Sequence, residues 1–190
     1  NVSGLAKIAA GRQGFSKVLK NVERSMLIVG QGALARDDGA AILAFVRRVA
    51  ESRGMINKSQ GWNGFNVLHT AAARVGGLDL NFVPGKGGLD TNGILEGASS
   101  GRIKVVYLLG ADEINTERLG DAFVIYQGHH GDAGAHRADV ILPGAAYTEK
   151  NATYVNTEGR VQLARLAVFP PGKARADWTI LRALSDVLGK

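Results

Sequence analysis

Three clusters of residues place reactive side chains or ligand-accepting turns at spacings that could do chemistry. The stretch Gln127-Gly128-His129-His130-Gly131-Asp132-Ala133-Gly134-Ala135-His136 puts three histidines and a carboxylate in a glycine-rich loop directly after an apolar run. Histidine titrates near neutrality and is a common metal ligand, so acid–base work and metal binding are both open to such a loop. Metal ligation, however, needs imidazoles converging from a rigid framework, and adjacent residues such as His129 and His130 need not point the same way. No serine or cysteine nucleophile stands in a recognised pattern with them. The plainer alternative is a loop whose histidines bond the backbone or meet another chain. Gly128, His129, His130 and Asp132 are therefore weak binding candidates, with no catalytic residue and no metal site expected.

The second cluster, Gly30-Gln31-Gly32-Ala33-Leu34-Ala35, fits G-x-G-x-x-A, in which small residues let a pyrophosphate approach a helix N-terminus. That chemistry also needs an acidic residue at the end of the next strand, about 20 residues on, to hold a ribose hydroxyl. Glu51 has the spacing but falls in a helical pattern, while the next strand ends at His69 and Thr70. The reading favoured is a glycine-lined strand-to-helix turn; an independent NAD-binding domain stays as an alternative. The third cluster is the carboxylate set Asp139, Glu149 and Glu158. Paired acids run acid–base chemistry when their environments separate their pKa values, but Glu158 beside Gly159 reads as a turn and Glu149-Lys150 as surface.

Composition narrows the classes further. With no cysteine in 190 residues, disulfides, thiolate-bound zinc, cysteine-ligated iron–sulfur clusters and cysteine nucleophiles are excluded within this chain. The 23 basic against 17 acidic residues give a net charge of +6, yet the cations are scattered without an aromatic-interleaved stripe, which argues against nucleic acid. No apolar run reaches the roughly 18 residues needed to span a bilayer, so direct membrane insertion is not expected. Asn1-Val2-Ser3-Gly4 is followed by no basic-then-apolar leader, and the chain reads as excised from something longer.

The elements that must position these clusters follow from hydrophobic periodicity. Phe15, Val18, Leu19 and Val22 have helical spacing, and Met26 to Val29 form an apolar strand ending at Gly30. Asp37 or Asp38 caps a helix with Ile42, Phe45, Val46, Val49 and Ala50 on its inner face, stopped by Gly54. A strand is expected at Asn66 to His69, then a short helix from Thr70 to Val75 broken by Gly76-Gly77. Residues 76–101 read as largely irregular, with one or two helical turns at Thr91 to Glu96. Lys104 to Leu109, Ala122 to Tyr126 and Val140 to Leu142 are continuous apolar runs, the mark of strands buried on both faces in a parallel sheet. Beyond them come a hairpin turning at Glu158-Gly159 and a helix from Asp177 burying Trp178, Leu181, Leu184 and Leu188. The fold class is α/β: a doubly wound, mostly parallel sheet with helices on both faces, plus a C-terminal β-hairpin and helix. Trp178, on the expected core face, should cost about 3 to 5 kcal/mol when truncated to alanine.

Three longer stretches carry a family likeness: Gln127 to Asp132; Ala138-Asp139-Val140-Ile141-Leu142-Pro143 through Glu149-Lys150; and Thr153-Tyr154-Val155-Asn156-Thr157-Glu158-Gly159-Arg160-Val161-Gln162. Together with Leu108-Leu109-Gly110-Ala111-Asp112, they resemble the large iron–sulfur subunit of respiratory NADH:quinone oxidoreductase (complex I), in its molybdopterin-oxidoreductase-like region. The pattern A-D-V-x-L-P, then N-x-E-G-R-x-Q, is also similar to the wider molybdopterin oxidoreductase superfamily. The resemblance implies a parent subunit that passes electrons from NADH towards quinone, with its 2Fe-2S and 4Fe-4S clusters bound upstream and no cofactor in this segment. It implies that residues 1–190 are one segment of a longer domain, a non-catalytic scaffold in contact with other peripheral-arm subunits. Its implied place is peripheral to the inner membrane, on the bacterial cytoplasmic or mitochondrial matrix side. The alternative is a segment of an active molybdopterin-guanine-dinucleotide oxidoreductase.

Overall fold

The computed structural model describes residues 2–12 and 14–190, so Asn1 of the opening stretch lies outside the described residues. The chain divides into two compact units, residues up to Leu80 with Val155–Val161, and Asn81–Tyr154 with Gln162–Lys190.

The first unit contains α1 (Val2–Ala9), α2 (Gly14–Lys20), β1 (Leu27–Gly30), α3 (Gln31–Leu34), α4 (Gly39–Ser52), β2 (Ile56–Asn57), β3 (Trp62–Asn63), β4 (Phe65–Leu68) and α5 (Arg74–Asp79). Strands β1 and β4 pair in parallel, Leu27 beside Phe65 and Gly30 beside Leu68. Helix α4 forms the crossover between them and buries Val46, Val49 and Ala50, the face its periodicity predicts. Asp38 occupies its N-cap position without a side-chain bond to the helix, because its carboxylate is taken by Arg36 (Nε to Oδ1 2.7 Å). Gly54 closes α4 at φ +69°, a left-handed turn that favours glycine.

One element of this unit was not foreseen, and one expectation fails. The short antiparallel pair β2–β3 has only two residues per strand, too few for a visible alternation. Helix α5 starts at Arg74 and runs through Gly76 and Gly77 instead of stopping before them. A Cβ at Gly76 would approach Val155 Cγ2 to 3.3 Å, so the glycine lets the helix pack closely there, and that packing outweighs its poor helix propensity.

The second unit holds α6 (Thr91–Ser99), β5 (Val105–Leu109), β6 (Phe123–Gly128), α7 (Ala133–Arg137), β7 (Val140–Pro143) and, towards the C-terminus, α8 (Asp177–Val187). Strands β5, β6 and β7 lie side by side in that order, all parallel. Leu95 and Ala98 of α6 meet Val106, Leu108, Val124 and Tyr126 of the sheet, with Leu119 and Ala122 completing the core. Full burial of one such aliphatic side chain stabilises by about 1.5–3 kcal/mol. Helix α6 starts at Thr91 as its sequence predicts, Asp90 capping it with Oδ1 accepting from the Gly93 amide at 2.8 Å, and runs on to Ser99, where Gly97 and Ala98 are buried. Strands β8 (Ala152–Val155) and β9 (Val161–Ala164) pair as the expected hairpin, with Gly159 at φ +82° in the turn.

The α/β class with parallel strands flanked by helices stands as the sequence predicts. Burial of the three strands on both faces does not: Val105 and Phe123 are exposed, Tyr107 and Ile125 only half-buried, and β7 exposes Val140 and Ile141. Helix α8 also departs from expectation, since none of its residues is buried and Trp178 is 67% exposed. Its partly buried positions include Thr179, Ile180 and Leu184, which puts Trp178, Leu181 and Leu188 on the outer side. Trp178→Ala should therefore cost less than about 1 kcal/mol in a urea melt of this chain, not the several expected of a core aromatic. A loss of about 3 kcal/mol would show that the indole is docked after all.

Candidate functional site at the carboxyl edge of the sheet

In open parallel sheets, ligands bind beyond the carboxyl ends of the strands, so that edge of β5–β6–β7 is where chemistry would be placed. Beyond β7 the backbone continues the pairing: the Ala145 amide donates to the Arg175 carbonyl at 2.8 Å, and the Arg175 amide to the Pro143 carbonyl at 3.1 Å. This brings Asp177, the first residue of α8, to the end of β6. There Gln127, fully buried at 0% exposure, donates through Nε2 to Asp177 Oδ1 at 3.0 Å and accepts at Oε1 from the Tyr107 hydroxyl at 2.5 Å. Lys150 pairs with the other Asp177 oxygen. Burial pushes the Asp177 carboxyl up, but the hydrogen bonds from Lys150 and Gln127 and the lysine charge outweigh it and hold the group below its ordinary range. Burial, and then the Asp177 charge, raise the Tyr107 phenol.

The His-rich loop begins at Gly128, and its glycines have a packing explanation. Tyr126 lies at 3% exposure, and a Cβ at Gly128 would come within 2.3 Å of its hydroxyl and 2.4 Å of Cζ. From another side of the ring, a Cβ at Gly134 would meet Cδ2 and Cε2 at 2.8 Å. Gly128 and Gly134 are small because the chain closes on this aromatic ring, whereas Gly131 has open space around it. Gly144 is small for a related reason, since its Cβ would lie 2.9 Å from Asp177 Oδ1.

Of the sequence candidates, Gly128 is buried in this arrangement, while His129, His130, Asp132 and His136 are exposed. The His129 and His130 rings sit 4.3 Å apart and tilted by 59°, with no metal-holding cluster among the described residues. Asp132 stands at the N-cap of α7, its carbonyl accepting from the His136 amide at 3.1 Å while its carboxylate makes no capping bond. Changing both histidines to alanine should leave stability within about 0.5 kcal/mol, checked by urea melts; a larger loss would mean the rings carry contacts.

The three carboxylates are not brought together as a catalytic pair. Asp139, at the amino end of β7, accepts from the Val124 amide at 2.7 Å. Glu149, beyond its carboxyl end, accepts from the Ala146 amide at 3.0 Å. Glu158 sits in the turn of the hairpin, where its amide donates to Asn156 Oδ1. The dinucleotide-like Gly30 to Ala35 runs from β1 into α3, a single turn of four residues, and Glu51 is occupied with Arg47 at 3.0 Å. At that second edge, Gln31 Oε1 and His69 Nδ1 are buried with no hydrogen-bond partner among the described residues. Sequence reading missed the Tyr107–Gln127–Asp177–Lys150 network because each member alone looks ordinary; only the long-range pairing of Arg175 with Gly144 assembles it.

The family model described as molybdopterin oxidoreductase matches residues 1–187. The chain belongs to the molybdopterin oxidoreductase family. It is 48% identical over 192 residues to the NADH-ubiquinone oxidoreductase 75 kDa subunit of Reclinomonas americana, covering 100% of this chain and 27% of that protein. The NADH dehydrogenase (ubiquinone) iron-sulfur protein 1, mitochondrial, of Solanum tuberosum is 47% identical over 186 residues, 97% of this chain and 24% of its own length. The mitochondrial NADH-ubiquinone oxidoreductase 78 kDa subunit of Candida albicans is 50% identical over 171 residues, 90% and 22% respectively. The chain thus spans about a quarter of the length of these relatives. Membership of a molybdopterin oxidoreductase family raises the question of whether the β5–β6–β7 edge suits a pterin. The residues present do not fit one: Tyr126 fills the space beside Gly128 and Gly134, and Gln127, Asp177 and Lys150 spend their hydrogen bonds on one another.

Proposed function

We propose that this chain is a non-catalytic scaffold region of the iron–sulfur subunit of a respiratory NADH:quinone oxidoreductase. It supports the cluster-bearing part of that subunit and offers surfaces to neighbouring peripheral-arm subunits. The observation that carries this reading is 48% identity, running the full length of the chain, to a protein named as a 75 kDa subunit of such an enzyme. The closed sheet edge supports the non-catalytic part, because its polar groups pair internally and position α8 instead of facing a substrate. Electron transfer from NADH to quinone belongs, in this proposal, to the longer protein and its assembly. In this proposal the 2Fe-2S and 4Fe-4S clusters sit upstream in the intact subunit, and the lack of any cysteine in these 190 residues agrees with that, since no thiolate here could hold one. Residues 1–190 are one segment of a longer domain, held peripherally on the matrix or bacterial cytoplasmic side of the inner membrane. No helix among the described residues is long and apolar enough to cross a membrane.

The alternative, a segment of an active molybdopterin-guanine-dinucleotide oxidoreductase, draws on the family membership and on the unpartnered Gln31 and His69 atoms at the other strand edge. Metal analysis of the purified intact complex separates the two. Iron without stoichiometric molybdenum is the expected result; stoichiometric molybdenum with extractable pterin would overturn the scaffold reading.

A further inference from the structure

Sites for small ligands are cavities of about 300–1,000 Å³, with mostly apolar walls and a few polar groups that fix orientation. The first unit has one of about 440 Å³ along the edge of β4 away from β1. Phe65, Asn66 and Val67 all line it, and consecutive strand residues point to opposite faces, so the cavity wraps that edge instead of lying on one face. Met26, Trp62 and, from α5, Val75 and Leu78 extend the apolar wall, while the turn of the β8–β9 hairpin contributes Glu158. Trp62 is held in place, its Nε1 donating to the Ser25 carbonyl at 3.3 Å and the Arg24 guanidinium lying 5.9 Å from its ring centroid. A wall fixed in advance loses little freedom when a ligand binds.

Charge decides which ligand fits. The chain carries +6 overall, yet the cavity is lined by Asp79 and Glu158 and by no lysine or arginine. Neither carboxylate is in an ion pair among the described residues. His69 also lines the cavity, and its Nδ1 is buried with no hydrogen-bond partner. We propose that this cavity binds a small organic cation, a primary ammonium or guanidinium carried on an aromatic or aliphatic body. The body lies against Trp62, Phe65 and Leu78, and the cation sits with the two carboxylates. An anion would meet two like charges there. A wholly apolar ligand would shut the polar groups of Asn66 and His69 away from water without partners. The lining belongs wholly to the first unit, and the proposal does not depend on the scaffold reading.

The test uses the full-length protein in its purified native assembly and three photoaffinity probes of nearly one shape: 4-azidophenethylamine, 4-azidophenethyl alcohol and 4-azidophenylacetate. Labelled peptides are identified by mass spectrometry. The amine is expected to label residues 62–69 or 75–79 and to be displaced by excess phenethylamine. The alcohol should label them about fivefold less, the difference two exposed charge pairs make, and the carboxylate not at all. Asp79→Asn combined with Glu158→Gln should bring amine labelling down to the level of the alcohol, whereas Asp121→Asn, at an exposed carboxylate outside the cavity, should leave it unchanged. Both lining carboxylates are exposed, so neutralising them spares the fold. Equal labelling by all three probes, amine labelling that survives the double substitution, or no labelling of these residues in the assembly would each overturn the proposal. None of these outcomes bears on the scaffold reading, which the molybdenum measurement tests separately.

Discussion

Gly128→Ala is expected to destabilise this chain by about 3 kcal/mol, the upper end of ordinary overpacking costs. The added methyl meets the Tyr126 ring 2.3 Å from its hydroxyl and 2.4 Å from Cζ, inside any real carbon contact. A flexible side chain could swing away cheaply, but Tyr126 is almost completely buried and Gly134 closes on Cδ2 and Cε2. Either the ring leaves its rotamer or the backbone after β6 moves, and both are expensive in an interior packed to crystal-like density. A double-mutant cycle with Tyr126→Ala isolates this cause. Truncating the ring alone costs about 3–5 kcal/mol, but with the ring gone the Gly128 methyl has room, and the two changes should fall short of additive by more than about 1 kcal/mol. Additive losses in urea melts would show that Gly128 matters for another reason. The outcome bears on function. Glycines that kept space for a cofactor would tolerate a methyl in the free protein, whereas glycines that grip Tyr126 would not.

That contrast illustrates what could be read from the sequence and what could not. The strands of the second unit were legible as apolar runs ending in Gly110, Gly128 and Pro143, and the hairpin as two short runs around Glu158-Gly159, because these signals are local. Helix α4 was legible as a helical stripe, for the same reason. The outer side of α8 was misread because Trp178, Leu181, Leu184 and Leu188 have helical spacing that overlaps the Ile180 and Leu184 side, and spacing alone does not declare which of two overlapping stripes faces the sheet. Helix α5 was placed too early because the benefit of Gly76 lies in its approach to Val155, far along the chain. The histidines drew attention by residue type, yet their loop has its clearest explanation in two glycines and a tyrosine. The network at the end of β6 stayed invisible because Tyr107, Gln127, Lys150 and Asp177 are separated by 20, 50 and 27 positions along the hydrogen-bonded path. The family resemblance rested on residues 127–162, a stretch that takes in Gln127, Gly128 and Lys150, so the motif marked a structural constraint before its cause was visible.

Replacing Gln127 by leucine tests that network directly and should cost about 1–3 kcal/mol at neutral pH, since it leaves the half-buried Tyr107 hydroxyl without its partner and removes a donor from Asp177. Leucine nearly matches glutamine in size, so lost packing contributes little and lost hydrogen bonding dominates. The pH dependence separates this mechanism from a general packing defect. The Asp177 carboxyl is held below its ordinary value of 3.8 in the folded chain, so its stabilisation is fully present above that value and is lost as the pH falls through the folded pKa. Gln127 contributes to that depression by donating to the ionised carboxylate. The stability gap between wild type and Gln127→Leu should therefore narrow as the pH drops below 3.8. The Tyr107 phenol, raised above its ordinary 10.0, works in the opposite sense: its neutral form is favoured in the fold, and that contribution is present below 10.0 and fades as the pH rises through the folded value. Urea midpoints for both proteins at neutral pH and near the acid limit decide the matter. A gap that stays constant across the acid range would mean Gln127 acts only as a buried spacer. A gap that closes would mean that the carboxylate of Asp177, locked by Gln127 and Lys150, is what fastens the start of α8 to the end of β6.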